Sequence, residues 1–404
     1  MNSLMTEVHV PYGGYWCTPF ARWQGSLAHL HSMELAAHFS KTVLANKSIP
    51  LDVFDYGVLG MTVPQHHCFY GLPWVASMIG ATTVGGPTIN QACATSARVM
   101  AQAAQEIQNG MATCVMSITT DRTSNGPHIY YPNPIGSGGT GEVETWVLDN
   151  FGCDPNAKCD MTQTAENCAS KWGISTEQQH EVVLRRYQQY LEATKPVDNK
   201  TFQQRYMVLP LEVPDQRYRK TVATLEGDEG IYPTTEDGLA KLRPVKDGGT
   251  VTYGGQTYPA DGSAGMVITT AEKATELSAD PNIRVKLVSF GQAREEMAYM
   301  PAAPIPAARK ALEAAGISID EVSAIKSHNP FAVNDIIFAR EMGVDVNQMN
   351  NYGCSLVWGH PQGPTGMRAC IELIEELVIL GGGWGLFHGC AGGDTAMAVV
   401  LKVE

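Results

Sequence analysis

Hydrophobic positions along the chain follow two periods. Ser32 to Ala45 (SMELAAHFSKTVLA) repeats apolar residues at helical spacing, and Val53 to Val58 is a short apolar run that reads as a buried strand. Gly85 to Gln91 (GGPTINQ) reads as a strand rising to a turn. Ser96 to Gln108 (SARVMAQAAQEIQ) reads as a helix ended by Gly110, and Thr113 to Thr119 as the next strand. From Asp121 to about Gly249 the pattern changes and Tyr, Pro, Asn, Gln and charge increase. Helices are expected there at Asp160 to Trp172 and Thr176 to Ala193, the second opened by Ser175-Thr176-Glu177-Gln178, a helix N-terminus signature. Core-like alternation then returns. It predicts strands at Val285 to Phe290, Val322 to Ser327, Gly385 to Gly389 and Ala396 to Val403, with helices at Pro306 to Ala315 and Met367 to Leu380.

The two core stretches echo each other. In each, a turn bearing a chemically capable side chain leads into a helix, a glycine-marked end and a strand. The expectation is an α/β protein of two pseudo-duplicated mixed α/β halves with an inserted loop domain. Residues 1–121 form one half, 122–250 the insertion, 251–270 the return to the first half, and 271–404 the second half.

Composition narrows the function. A 404-residue chain with 44% hydrophobic and 17% charged residues has enough apolar material for two or three domains' worth of core. A net charge of −13 and the lack of a basic stripe exclude binding through nucleic-acid phosphates, although a polyanionic cofactor could still meet a local basic cluster. The start, MNSLMTEVHVPYGG, lacks a signal-peptide pattern, and the apolar run near Leu377 to Leu386 is broken by glycines and too short to span a bilayer. Ten scattered cysteines without a C-x-x-C pair suit a reducing compartment, so a cytoplasmic protein is expected. His66-His67-Cys68 and Cys153-x5-Cys159 lack the paired spacing of a zinc site, so no metal is expected. No P-loop or dinucleotide fingerprint is present.

The candidate chemistry lies at four turns. Cys93, in INQACATSARV, stands where a strand turns into a helix, a setting whose dipole and free N–H groups lower a thiol's pKa. Taken alone it could equally be an inert core cysteine. His360, in GHPQGPTGMR, is held by prolines and glycines that would fix an imidazole as a base or oxyanion donor. Cys390, in HGCAGGD, ends a strand at a turn where Gly392 and Gly393 let N–H groups face a ligand, and a second thiol there suits acid–base work at carbon beside a thioester. His328, in KSHNPF, follows a strand directly and can be aimed into a cleft.

Together these strings resemble the thiolase family, over most of the chain. CTPFARWQGSL (Cys17 to Leu27) is similar to the family's opening, and NQACATS to its nucleophile turn. MTQTAENCASKWGISTEQQ (Met161 to Gln179) is similar to the helix of the loop domain that covers coenzyme A, and GTVTYGG with ADGSAG (Gly249 to Gly265) to the returning strand. GHP and CxGG are the most specific strings. The resemblance implies a thiolase-like fold and coenzyme A-dependent cleavage, or reverse condensation, of a 3-oxoacyl-CoA, with coenzyme A as substrate and no covalently bound cofactor. Cys93 would carry the acyl group, His360 would activate it, and Cys390 would be the acid–base group. His328 and His360 would form one oxyanion hole and the N–H groups of Cys93 and Gly392 the other, while Met161 and Thr257 would contact the cofactor. The resemblance further implies a homodimer or a tetramer. His328 stands where many members have Asn and is similar to the branch with "H-D-x-F", which often pairs with a small zinc-ribbon/OB-fold subunit.

Departures from the family pattern include Cys17 for an arginine, Cys354 for a glycine, Asp394 after CAGG, and Thr257 near the place of a cofactor-contacting serine. Two alternatives remain open. One is a condensing enzyme like ketoacyl synthase or hydroxymethylglutaryl-CoA synthase, which lacks the second cysteine; the other is a non-catalytic binding subunit of the same fold. Phe69, Tyr70, Trp74, Tyr130, Tyr131 and Trp358 are either core and interface residues or the lining of a pocket for a bulky aromatic acyl group, such as that of benzoylsuccinyl-CoA.

Overall fold

The computed structural model describes residues 3–404. Small residues set the packing at its centre. The helix Thr95–Gln108 buries Ala97, Met100, Ala101, Ala103, Ala104 and Ile107, so its slim body fits between layers of sheet. The helix Gln362–Ile379 packs against it. At Gly366 a Cβ would come within 3.0 Å of Ser96 Cβ and 3.1 Å of Phe387 Cζ, so any larger residue would push these neighbours back by a few tenths of an ångström.

Around this pair run two wings of a twelve-stranded sheet. In the first, Tyr56–Gly60 lies parallel to Cys114–Arg122, which pairs antiparallel with Ala260–Thr269. In the second, Val322–His328 lies parallel to Gly383–Ala391, which pairs antiparallel with Thr395–Val403. The repeated parallel–antiparallel order is the duplication expected from the sequence. His9–Pro11 joins the wings by pairing with both Ala260–Thr269 and Arg284–Arg294. Between Cys114–Arg122 and Ala260–Thr269 the chain leaves this sheet to form two small hairpins and the helices Met161–Trp172 and Thr176–Thr194. The second helix opens with the reciprocal Ser175–Gln178 capping box. Among the described residues, no helix is long and apolar enough to cross a membrane.

Several buried charges are paired with one another. Arg368 donates to Asp228 at 2.6 and 2.8 Å and to Glu372 at 3.0 Å, and Glu372 also meets Lys326 at 2.9 Å. Arg186 donates to Asp335 at 2.9 Å with both side chains fully buried. Asp335 in turn accepts from Ser327 and Asn329, on either side of His328. Arg186→Met is therefore expected to cost about 3–5 kcal/mol, the size found when one partner of a buried pair is removed. Chemical denaturation measures it; a loss below about 1 kcal/mol would show that Asp335 finds another partner.

Several elements differ from expectation, each for a local reason. The first core strand is Tyr56–Gly60 and not Val53 to Val58, because Leu51–Val53 forms a turn of 3-10 helix. GGPTINQ contributes only Thr88–Ile89 to the sheet, since Pro87 brings no donor. The last helix begins at Gln362, five residues before the expected Met367. Pro364 falls in its first turn, where a missing N–H costs no intrahelical bond. Helices Leu72–Ile79 and Ala332–Met342 lie outside the sequence expectation. The second is buried continuously from Ala332 to Ala339 and so shows no polar stripe.

Candidate active site

All four candidate turns meet on one side of the sheet. His328 ends a strand that is parallel and in register with Gly389, beside Cys390. Cys93 follows the strand Thr88–Ile89, itself parallel to Tyr56–Gly60. Crevices outside the carboxyl ends of such strands are where open α/β sheets bind ligands.

Each turn is locked locally. Ala92 is held at φ 44°, a left-handed value costly for a residue with a Cβ. Thr95 secures the turn by donating to the Ala92 carbonyl at 2.7 Å and accepting from the Gln91 N–H at 2.9 Å. Before His360, Gly359 has φ +86°, and a Cβ there would lie 2.8 Å from the Tyr258 ring. The His360 N–H donates to the Tyr258 carbonyl at 2.8 Å. Asp121 anchors the same loop from the other half of the molecule. Its carboxylate accepts from the N–H groups of Gly363 (2.5 Å), Thr62 (2.8 Å) and Val63 (3.0 Å). Burial pushes the Asp121 carboxyl up to about 6, and those same N–H groups partly offset the rise.

The imidazoles are oriented by hydroxyl groups. Thr365 donates its hydrogen to the Pro361 carbonyl at 2.6 Å, so at 2.7 Å it accepts from His360 Nδ1–H. His360 Nε2 is then the bare acceptor, and it has no partner among the described residues. His328 Nδ1 meets Ser355 Oγ at 3.0 Å, and its Nε2 likewise has no partner among the described residues. Ser355 has one hydrogen for two acceptors, His328 Nδ1 and Asn329 Oδ1 at 3.0 Å. Turning that hydrogen toward His328 moves the ring proton to Nε2, where it can be donated to an oxygen. The two rings stack at 3.9 Å and 23°, and Cys93 Sγ lies within 4.8 Å of a nitrogen of each. Proximity alone would suit a metal. Near-parallel rings aim their lone pairs side by side, however, and no ion about 2.0–2.1 Å from both nitrogens could lie in both ring planes.

Burial keeps this cluster neutral at rest. It holds His328 down at about 3, with Asp335 opposing, and His360 well below its ordinary value, with His328 adding to the effect. Burial also pushes Cys93 up to about 12, although the N–H groups of Gly392 and of Cys93 itself are directed at the sulfur and oppose the shift. The sequence expectation of a lowered thiol is therefore corrected: in this closed turn desolvation outweighs the helix N-terminus. Alkylation of the resting enzyme by iodoacetamide at Cys93 should rise about tenfold per pH unit from 7 to beyond 9. A plateau near pH 7 would instead reveal a preformed thiolate–imidazolium pair.

Cys93, His360, Gly392, Thr257 and Met161 line one cavity of about 650 Å³. Cys390 lies behind it, fully buried, with its Sγ accepting from Asn334 at 3.3 Å. The aromatic residues singled out in the sequence do not line it. Phe69 and Tyr70 stand 91% and 68% exposed, and Tyr130 and Tyr131 lie on an exposed hairpin. Trp74 packs edge-on to His31 and His67. Trp358 is buried against the Arg368 guanidinium at 4.3 Å, a clamp on the core ion network. Phe151, Tyr258 and Phe331 line the cavity in their place. Thr365, Ser355, Asn334 and Asp121 lie outside the sequence expectation. Only Thr365, close behind His360 at the start of a helix, had a local signal.

A duplicated α/β sheet with a thiol and two imidazoles gathered at one site carries the groups that an enzyme of acyl transfer needs. Family models agree: the thiolase N-terminal domain matches residues 15–272 and the thiolase C-terminal domain residues 282–403, so this chain belongs to the thiolase family of acyltransferases. It is 31% identical to an acetyl-CoA acetyltransferase of Chromobacterium violaceum, over 96% of this chain and 97% of the relative. It is 27% identical to the beta-ketothiolase BktB of Cupriavidus necator, over 95% and 96%. The human mitochondrial 3-ketoacyl-CoA thiolase, solved in complex with CoA, superposes with a TM-score of 0.88 at 26% identity, covering 100% of this chain and 99% of that one.

Proposed function

We propose that this chain cleaves, or forms by condensation, the carbon–carbon bond of a 3-oxoacyl-CoA, with Cys93 as acyl carrier. The observation that carries the reading is the gathering of Cys93, His328 and His360 within 4.8 Å, at a cavity that Cys93, His360 and Gly392 line, with His328 and Cys390 buried behind its wall. Cys93 gives its proton to His360 Nε2 as its sulfur attacks the 3-oxo carbon. The oxyanion is met by His360, now carrying Nε2–H, and by His328. The bond between the 2- and 3-carbons breaks, and Cys390 donates its proton to the 2-carbon. Coenzyme A then returns a proton to Cys390 as its sulfur attacks the Cys93 thioester. The N–H groups of Cys93 and Gly392 receive that oxyanion, and Cys93 leaves with the proton held on His360.

Coenzyme A is the second substrate in this reading. Met161 and Thr257 sit at the cavity wall, and Thr257 keeps acceptor capacity because its hydroxyl donates to the Ser355 carbonyl at 2.5 Å. Residues 122–250 are proposed as the domain covering the cofactor, with 1–121 and 251–270 as one half and 271–404 as the other. Second copies of the chain would pair beside the edge strand Thr88–Ile89, near exposed Phe69 and Tyr70. Light scattering of the purified protein reads this, and a monomer rejects it. A small zinc-ribbon/OB-fold subunit is looked for by co-purification.

The acyl group is proposed to be bulky and uncharged, because Phe151, Phe331, Tyr258, Leu148 and Met300 supply apolar walls. Among the described residues lining the cavity none is Lys or Arg, so the carboxylate of a benzoylsuccinyl group would have no counter-charge there. Thiolysis across a panel of 3-oxoacyl-CoA esters tests both levels. kcat/KM for aryl or medium-chain esters should exceed that for acetoacetyl-CoA, and the reverse order would reject the bulky-group reading. No thiolysis of any ester would reject the function.

A further inference from the structure

Cys390 has to ionise in a place that opposes ionisation. It is fully buried, and desolvation holds its thiol well above the ordinary value, with the neighbouring Cys93 adding to the rise. Among the described residues, the other groups packed around it bring no positive charge. Cys168 is a neutral thiol from the helix Met161–Trp172. His388, two residues back on the same strand, is stacked on Phe338 at 3.6 Å and kept neutral by burial. Asp335, on the helix that faces the strand, is taken up by Arg186, Ser327, Asn329 and Asn350.

We infer that Asn334 is a positioning residue for Cys390, whose amide N–H donates to the sulfur and stabilises the thiolate formed whenever Cys390 gives up its proton. The inference rests on the acid–base role proposed for Cys390. Asn334 is buried, with Nδ2 3.3 Å from Cys390 Sγ and its second hydrogen toward the Pro301 carbonyl at 3.4 Å. Its Oδ1 accepts the Phe331 N–H at 3.2 Å, capping the helix Ala332–Met342. That cap fixes which way the amide faces. Reversed, it would set Nδ2 against an N–H donor and Oδ1 against both a carbonyl and the sulfur. Helix and strand are further registered by Phe338 on His388, one turn along. A hydrogen bond to an ion is roughly twice as strong as one between neutral groups. The contact therefore gains most after the proton has left: to the 2-carbon during cleavage, or before CoA-SH returns it.

The rival role, a helix cap alone, predicts different data. Asn334→Asp keeps a cap acceptor but replaces the donor with an oxygen; Asn334→Gln keeps an amide whose reach is altered. The readout is exchange of the 2-protons of acetyl-CoA with deuterium as a function of pH, beside the rate of Cys93 acylation by an acyl-CoA donor. In Asn334→Asp the rising limb of the exchange profile should move up by about one pH unit, a tenfold loss below it, while acylation changes by less than about twofold. Asn334→Gln should recover part of the shift. Equal slowing of both rates with the limb unmoved, in either variant, overturns the inference in favour of the cap. Cys390→Ala run in parallel separates the two levels. If it still exchanges protons, the role of Cys390 is wrong; if it is inactive and Asn334→Asp keeps the wild-type limb, only the Asn334 inference fails.

Discussion

Replacing Cys93 by alanine is expected to lower acyl transfer by ~10⁵–10⁶-fold, the scale seen when an enzyme loses its nucleophile, while leaving the unfolding midpoint unchanged. Both halves follow from where the residue sits. Its sulfur is the only group at this turn able to form a thioester, and His328, His360 and the Gly392 N–H are all arranged around it. Its contribution to packing is small, because the turn is held by Thr95 and by the backbone and not by the thiol. Intact-mass measurement after incubation with an acyl-CoA should show one acyl group on the wild type and none on the variant. An acyl group still attached to the variant at another residue would remove Cys93 from its proposed role.

Cys390→Ser is expected to slow 2-proton exchange, and with it carbon–carbon cleavage, by ~10²–10⁴-fold, while Cys93 is still acylated from an acyl-CoA donor. Proton transfer to carbon needs a positioned acid or base. A departing thiolate is stable enough to leave without one, so the acylation step is spared. The serine hydroxyl keeps the size of the site but titrates far above the thiol, and burial raises it further. Mass spectrometry reads acylation, and deuterium incorporation into acetyl-CoA reads exchange. If both fall by the same factor, Cys390 supports the turn structurally and the acid lies elsewhere.

Much of the fold was legible because its signals are local. Helices such as Ser32–Asn46 bury an apolar face and expose a polar one, and the periodicity shows it. The helix Ala332–Met342 is buried on all sides and carries no such stripe, and it escaped notice together with Asn334. Among the aromatic residues, sequence could report size and apolarity but not facing. Trp358 lies two residues before His360, yet its ring covers Arg368 and not the cavity.

That this is a thiolase-like α/β enzyme, and which side chains could carry its chemistry, is legible from the order of residues alone. Glycine, proline and cysteine at turns carry conformational and chemical demands that hold whatever surrounds them. How those side chains act depends on contacts that exist once the chain is folded. The stacking of His328 on His360, the Asp121 anchor beneath the GHP loop, the Asn334 amide at Cys390, and the upward shift of Cys93 all join residues far apart in the chain. Desolvation and orientation are properties of an enclosed site, and no local string contains the enclosure.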